Sequence, residues 1–248
     1  MTPSRRPGLP VSRRGFMSAA GSTGIVAAAA AAAGGLGGAA TASASEVPEA
    51  FPDTPAAALR LLMRGNERWV RGRPRHPHQS VAWREHVAAH QEPFATVVSC
   101  IDSRVPPELV FDRGLSDLFV IRTGAQTLDN LVVLGSVEFG PNAYPSARLI
   151  FVLGHERCGA VTAAIPAIQT GQRAPGHIQA VVDALRPAYH IAVRQPGDLV
   201  DNMVRAQTKL AVRRLKEDHL LRELIVSDGL KIVGGRYDLD TGRVQIIA

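Results

Sequence analysis

Short apolar runs alternate with longer segments of helical periodicity from residue 95 onward. The apolar runs predict strands at 95–99, 118–122 and 149–153. Apolar residues at helical spacing predict helices over 107–111, 128–139, 160–169, 178–188 and 199–215. Two further apolar segments flank Asp240-Thr241-Gly242 and predict a hairpin of 230–237 with 243–247. Because continuous apolar strands between helices indicate parallel strands buried on both faces, we expect an α/β fold, with a mostly parallel sheet covered by helices on both faces.

Residues 45–94 differ from this alternation and predict an N-terminal helical arm. Thr54-Pro55 is a typical helix start, with a capping threonine and then proline in the first turn. A second, short helix is predicted over 81–90. Because the arm has little apolar core of its own, it must pack on the main domain, residues 95–248, or on a partner subunit.

Residues 1–44 have the pattern of an export signal. Arg13-Arg14 is a twin-arginine pair, an alanine-rich stretch follows over 19–33, and Ala42-Ser43-Ala44 supplies small residues for cleavage. We therefore expect export through the twin-arginine machinery and a periplasmic, cell-surface or secreted location. The alternative is an uncleaved membrane anchor, although the stretch is short and only weakly apolar for a span.

The positive charge of the chain comes partly from this signal. The formal net charge is +6, and residues 1–44 carry four arginines and no acidic residue. Without them, 24 basic residues remain against 22 acidic residues, a net charge of +2. The charge therefore gives no argument for binding to nucleic acid.

The two cysteines of the chain each lie in a motif suited to binding zinc. Cys100 follows the strand predicted at 95–99, and His155-x-x-Cys158 follows the strand predicted at 149–153. The carboxyl ends of parallel strands meet at one edge of a sheet, where sites form. Two thiolates and one imidazole are typical zinc ligands and leave a fourth position open for water, as in catalytic zinc sites.

Two other interpretations of the cysteines remain open from the residues alone. Cys100 and Cys158 are also consistent with small buried apolar residues beside an ordinary loop histidine. In an oxidising compartment, they are consistent with a disulfide. A protein that binds its metal before export would keep both sulfurs as ligands.

The neighbouring residues make the sequence resemble the β-class carbonic anhydrases. The resemblance rests on Cys100-x-Asp102-Ser103-Arg104, on His155-x-x-Cys158-Gly159 and on Asp117-Leu118-Phe119-Val120-Ile121-Arg122 between them. It covers residues 50–248. It implies one Zn²⁺ per subunit at Cys100, His155 and Cys158, and reversible hydration of carbon dioxide to bicarbonate and a proton.

The resemblance also implies a catalytic role for Asp102 and Arg104. Asp102 would accept a hydrogen bond from a zinc-bound hydroxide and orient it, while Arg104 pins the carboxylate in its charged form. The plain alternative is a surface ion pair. A third state, also implied by the family, has the aspartate at the fourth zinc position in place of water.

Three further positions match substrate contacts in the family. Gln91 would donate to a bicarbonate oxygen, Phe119 would line an apolar substrate cleft, and Gly159 would allow a close backbone approach. The alternatives are a solvated glutamine for Gln91 and an ordinary core phenylalanine for Phe119, while Gly159 could instead contact bicarbonate through its amide. The resemblance further implies a homodimer or tetramer in which the arm embraces its neighbour, with Trp69 and the leucines near it as the contact.

One segment departs from the family. Residues 122–126 read Arg-Thr-Gly-Ala-Gln, where many members have Arg-Asn-Val-Ala-Asn or Arg-x-Ala-Gly-Asn. This departure leaves room for a related activity, the hydrolysis of carbon disulfide or carbonyl sulfide. A zinc-binding module without catalysis is a further alternative, against which the Asp102–Arg104 pair argues.

Overall fold

The computed structural model describes residues 50–248, so the predicted export signal lies outside the described residues. The helices are α1 (Pro55–Val70), α2 (Val81–His86), α3 (Pro107–Val110), α4 (Leu131–Ala143), α5 (Gly159–Thr170), α6 (Ile178–Ala192), α7 (Leu199–Glu217) and α8 (His219–Ser227). The strands are β1 (Ala95–Cys100), β2 (Leu118–Thr123), β3 (Leu149–His155), β4 (Lys231–Tyr237) and β5 (Val244–Ile246). Over these residues, no helix joins the length to the apolar character that a membrane span requires.

The strands confirm the predicted α/β fold. They form one sheet over the described residues, in the order β2-β1-β3-β4-β5. The first four strands are mutually parallel, and β5 returns antiparallel to β4 as the predicted hairpin. Because β1 lies between β2 and β3, the ends of β1 and β3 are neighbours. This adjacency is what positions the site.

Helices cover both faces of the sheet, as the continuous apolar strands predicted. Every residue of β1 and β3 is buried. Val97 and Phe151 belong to the core on one face, while Val98 and Val152 belong to the core on the other. Fully burying each of these side chains stabilises the fold by about 1.5–3 kcal/mol. The central strands therefore hold the residues at their ends in a fixed frame.

Helix α1 packs on its own chain, which corrects one expectation. Thr54 caps the helix as predicted, with its Oγ1 accepting from the amide of Ala57 at 3.2 Å. Leu62 is fully buried in the core, and the indole of Trp69 donates to the hydroxyl of Tyr237 at 3.0 Å. The expectation that the leucines near Trp69 contact a partner subunit is therefore wrong for Leu62, which fills the protein's own core. Trp69 is only partly buried, and its contact with a partner stays a prediction.

Two other boundaries differ from the sequence pattern. Helix α2 ends at His86 rather than at residue 90, and none of its residues is buried, so no core contact extends it. Helix α8 was not predicted. It follows α7 after a single residue, Asp218, whose carboxylate accepts from the amide of Leu221 at 3.0 Å and starts a new helix.

Substituting Asn66 with alanine tests how firmly α1 is attached. The buried amide of Asn66 donates to the carbonyl oxygens of Val110 and Gly242 and accepts from the amide of Val244. The alanine variant leaves these buried groups unpaired, so we expect a loss of about 2–4 kcal/mol in the free energy of unfolding, measured in urea. Asn142→Ala, on an exposed helical position, is the control and should change stability by under about 0.5 kcal/mol. Equal effects would refute this account.

Candidate metal centre

Three elements bring Cys100, His155 and Cys158 together. Cys100 ends β1, His155 ends the adjacent strand β3, and Cys158 directly precedes α5. All three side chains are buried, and their ligand atoms lie within 4.8 Å of one another. The predicted convergence of the two motifs at one edge of the sheet is confirmed.

The two sulfurs are placed as ligands of one ion and not as a disulfide. Both cysteines are free, and the Sγ atoms of Cys100 and Cys158 lie 3.9 Å apart. A disulfide needs about 2.0 Å between its sulfurs. Two thiolates bound to a tetrahedral zinc, each at about 2.3 Å, lie about 3.8 Å from each other. The donor set therefore fits zinc.

The ring of His155 is oriented as a ligand. Its Nδ1 donates to the carbonyl oxygen of Glu156 at 2.9 Å, which leaves the lone pair on Nε2. That Nε2 is buried and has no hydrogen-bond partner among residues 50–248. An unpaired buried acceptor is costly unless something else satisfies it. A metal ion held with the two sulfurs would do so.

The negative charge that the two sulfurs can carry also favours binding of a cation. The hydrogen bond with Cys158 lowers the pKa of Cys100, and the amide of Ala125 also donates to this Sγ at 3.3 Å. The same pairing, followed by burial, raises the pKa of Cys158, because a second negative charge would lie beside the first. A dication between the sulfurs cancels that repulsion, so binding of the metal and loss of the second proton are linked.

Asp102 and Arg104 lie beside the metal ligands and face each other. The Nε and Nη2 of Arg104 donate to the two carboxylate oxygens of Asp102 at 2.9 and 2.7 Å. These bonds lower the pKa of Asp102 to about 2, so the carboxylate is charged at neutral pH. Its Oδ2 lies 3.9 Å from the Nε2 of His155. The carboxylate of Asp102 is therefore paired with Arg104 and lies next to the metal ligands.

Arg122 supports the same loop, a role that the sequence analysis missed. Its Nε donates to the carbonyl oxygen of Cys100 at 2.7 Å, and its Nη2 donates to that of Asp102 at 2.6 Å. The signal was present, since Arg122 is a basic residue at the end of the strand beside β1. In the register of the two strands, it pairs with Ser99.

The departure at residues 122–126 also serves the metal site. Residues 124–126 form a single 3-10 turn in which Ala125 and Gln126 have φ of 52° and 45°. Positive φ is unusual for residues with a side chain and has to be held by the surroundings. The turn aims the amide of Ala125 at Cys100, and the buried side chain of Gln126 donates to Thr208 at 3.1 Å.

Gln91 and Phe119 lie away from the metal ligands of their own chain. Phe119 pairs with Thr96, four residues before Cys100, which is about 13 Å along the strand. The ring of Phe119 contacts that of Tyr144, whose hydroxyl accepts from Gln91 at 3.0 Å. The three side chains form one cluster at the far end of β2.

Gly159 lies at the metal site but has no close neighbour. It follows Cys158 as the first residue of α5. A Cβ added there would meet no atom of the described chain within 4 Å. The glycine therefore faces open space beside the ligands, where a small molecule has room.

The chain is similar to known carbonic anhydrases. Residues 95–244 match the family described as carbonic anhydrase. Carbonic anhydrase 2 of Mycobacterium tuberculosis (strain CDC 1551 / Oshkosh) is 42% identical over 197 residues, which cover 79% of this chain and 94% of that protein. The carbonic anhydrase of Mycolicibacterium smegmatis is 36% identical over 197 residues, covering 77% and 93%.

Solved structures have the same fold at lower identity. One of two tetrameric β-carbonic anhydrases from Sordaria macrospora superposes with a TM-score of 0.61 at 20% identity, covering 77% of this chain and 96% of that one. A Coccomyxa β-carbonic anhydrase in complex with acetazolamide gives a TM-score of 0.59 at 21% identity, covering 76% and 86%. The chain thus belongs to the carbonic anhydrase family and has the fold of β-class members.

Replacing His155 with alanine tests the metal centre directly. The variant removes one of three protein ligands, so we expect zinc affinity to fall by more than the ~10- to 100-fold typical of changing an outer-shell partner. Metal analysis of the purified protein should find one zinc per chain in the parent and a small fraction of that in the variant. His190→Ala, at an exposed position on α6, should keep its zinc. Full zinc content in the His155 variant would exclude this residue as a ligand.

Proposed function

We propose that this chain catalyses the zinc-dependent, reversible hydration of carbon dioxide to bicarbonate and a proton. One observation supports this most strongly. The buried ligand set of Cys100, His155 and Cys158 lies beside the salt-bridged pair of Asp102 and Arg104, in a member of the carbonic anhydrase family. Zinc held by these ligands would lower the pKa of a coordinated water and so make hydroxide available near neutral pH.

Asp102 acts in this proposal as a fixed hydrogen-bond acceptor. With a pKa of about 2, it remains a carboxylate and does not take up the proton that the reaction releases. Its charge instead aligns the attacking oxygen toward carbon dioxide, because that oxygen can donate its hydrogen only to an acceptor. The released proton passes to solvent or buffer, so the balance is carbon dioxide plus water to bicarbonate plus a proton.

Arg104 keeps Asp102 in this role. The side chain of Arg104 is 51% exposed, so its Coulomb attraction is screened, but the two parallel bonds to Asp102 fix the direction of the carboxylate. When this pair breaks, the carboxylate is free to turn toward the metal ligands, since its Oδ2 is already 3.9 Å from the Nε2 of His155. In that closed state, the carboxylate of Asp102 would occupy the fourth zinc position in place of water.

Asp102→Asn tests the orienting role. The amide has the shape of the carboxylate but presents a donor, so we expect turnover to fall about 100-fold through loss of orientation. Zinc content should stay at one per chain, because Asp102 is not one of the three ligands. Turnover is measured by stopped-flow hydration, with carbon disulfide and carbonyl sulfide assayed in parallel.

The matched control is Asp129→Asn, which breaks an exposed ion pair with Arg214 elsewhere on the surface. Turnover of this control should equal that of the parent. Near-normal hydration by Asp102→Asn would remove this residue from the mechanism. Hydrolysis of the sulfur compounds by the parent, without hydration of carbon dioxide, would favour the related hydrolase. Zinc binding with neither activity would leave a binding module.

We also propose that the chain works as a homodimer or a dimer of dimers. Over the described residues, no strand pairs with the outer edge of β2. Leu131, Val132 and Phe139 of the adjacent helix α4 are 82%, 77% and 47% exposed. An unpaired edge beside an exposed apolar surface favours pairing with another chain. The similar Sordaria proteins are tetrameric, which supports an assembly of this kind.

This assembly would give Gln91 and Phe119 their substrate role. If two β2 edges pair antiparallel about a two-fold axis, the Phe119 end of one strand lies beside the Thr123 end of the other. Thr123 is next to Cys100 in the register of β2 and β1. The cluster of Gln91, Phe119 and Tyr144 would then line the metal site of the second copy, while remaining about 13 Å from its own.

A subunit-mixing experiment tests this arrangement. One variant carries Asp102→Asn, and the other carries Gln91→Ala with Phe119→Ala, and each alone should have low activity. In a mixed dimer, one site would combine an intact Asp102 with an intact cluster. Random remixing should therefore restore about a quarter of the parent activity. If the cluster served the site of its own chain, every site would stay defective and no activity would return.

We propose export by the twin-arginine pathway, with the mature protein in the periplasm, at the cell surface or secreted. The support is the sequence of residues 1–44, in particular Arg13-Arg14 and the small residues at Ala42-Ser43-Ala44. Arg13→Lys combined with Arg14→Lys should leave the precursor in the cytoplasmic fraction. Cell fractionation and mass analysis locate the protein. Normal export of this variant would contradict the proposal.

A further inference from the structure

The loop between His155 and Cys158 is attached to the turn of the β4–β5 hairpin. The guanidinium of Arg157 donates two bonds to the carboxylate of Asp240, at 2.8 and 2.7 Å. The carbonyl oxygen of the same Arg157 accepts from the Nη2 of Arg104 at 3.2 Å. Arg157 therefore joins the hairpin turn to the residue that holds Asp102.

Arg157 needs this attachment because its backbone is strained. Its φ is 46°, a region that residues with a side chain seldom occupy. Such a conformation persists only when the surrounding structure holds it. Asp240 holds the guanidinium, and the carboxylate of Glu156 also lies 3.5 Å from it.

The hairpin turn is itself well anchored. The carboxylate of Asp238 accepts from the amides of Asp240 and Thr241 at 3.1 and 2.9 Å. Glu156 accepts from the amide of Leu239 at 3.2 Å. The carboxylates of Glu156, Asp238 and Asp240 lie close together, but Arg157 and Arg236 are their ion-pair partners. Two arginines thus compensate the negative charge of this acidic cluster.

We propose that Asp240 is a positioning residue of the active site. It acts through Arg157, whose carbonyl oxygen fixes Arg104, which in turn fixes the carboxylate of Asp102. This inference rests on the proposed roles of Asp102 and Arg104. Asp240 belongs to neither the ligand set nor the Asp102–Arg104 pair, so it affects turnover only by way of Arg157.

The geometry shows why this second contact matters for Arg104. With the side chain half exposed, Arg104 has two partners, the carboxylate of Asp102 and the carbonyl oxygen of Arg157. When the loop relaxes, the carbonyl turns away and Arg104 keeps one partner only. The Asp102–Arg104 pair then moves as a unit, and the orientation of the attacking oxygen is spread over more arrangements.

The test compares Asp240→Asn, Arg104→Ala and the double variant. Loss of an exposed ion pair shifts the equilibrium between the held and the relaxed loop by up to about fivefold. Asp240→Asn should therefore lower kcat by up to about fivefold, at full zinc content. In the Arg104→Ala background, Asp240→Asn should lower kcat no further, because the group through which it acts is gone. Asp240→Glu keeps the charge and should retain most of the turnover.

A readout that does not depend on activity is the Nε–H resonance of Arg104 in ¹⁵N-labelled protein. It is assigned by its loss in Arg104→Ala. The resonance should broaden or shift in Asp240→Asn and stay unchanged in the control Asp183→Asn, which breaks an exposed ion pair with Arg186 on α6.

The outcomes separate this inference from the proposed function. Parent-like kcat and an unchanged Arg104 resonance in Asp240→Asn would overturn the positioning role. Effects of Asp240→Asn and Arg104→Ala that simply multiply would also overturn it, because they would show a separate structural effect. Parent-like turnover in Asp102→Asn would instead refute the proposed mechanism, while the resonance would still report whether Asp240 holds Arg104.

Discussion

The structure of the site depends on two buried sulfurs that lie 3.9 Å apart without being bonded to each other. Two thiolates at that separation repel each other strongly in a buried place, and the lone pair of His155 beside them is also unpaired. Each of these features is unfavourable alone, and a single dication satisfies all three groups. The surrounding fold therefore has to keep the groups together before the metal binds, and the parallel pairing of β1 and β3 does so. A slip of one residue in that register would turn the ligands to the other face of the sheet.

Arginines form the next layer around this centre. Arg122 holds the carbonyl groups of Cys100 and Asp102, Arg104 holds the carboxylate of Asp102, and Arg157 links the second ligand loop to the hairpin. A guanidinium suits this task because it donates several bonds in a fixed plane and stays charged at any physiological pH. The loops that follow Cys100 and His155 lack regular backbone pairing, so these side-chain bonds replace it. Rigid loops matter because orientation, rather than binding strength, sets the rate of an attack on a small apolar substrate.

The sequence predicted the parts of this molecule whose signal is local. Each strand of the parallel sheet is a continuous apolar run, and each metal ligand follows such a run directly, so both the fold and the convergence of Cys100 with His155 and Cys158 could be inferred. Partners distant in sequence could not. Nothing near Trp69 shows that it donates to Tyr237, 168 residues later. The leucines near it were assigned to a partner contact, although Leu62 is buried in the chain's own core. Arg157 likewise reads as a solvated arginine until the hairpin turn brings Asp240 to it. Helix α8 was missed because the prediction ended the preceding helix at residue 215, and a single capping residue separates the two helices.

The turn at residues 124–126 shows how a departure from a family pattern can have a structural role at a metal ligand. On the sequence alone, the change there raises a question about the substrate pocket. In the fold, the same residues do a different job, because the amide of Ala125 donates to Cys100 and the side chain of Gln126 is buried against Thr208. Gln126 and Thr208 also fill the space beside Gly154 of β3, so the turn packs closely against this strand. Helix α7 thus supports the strained backbone, which in turn points an amide at a metal ligand. Changes in this segment would therefore act directly on the geometry of the Cys100 sulfur.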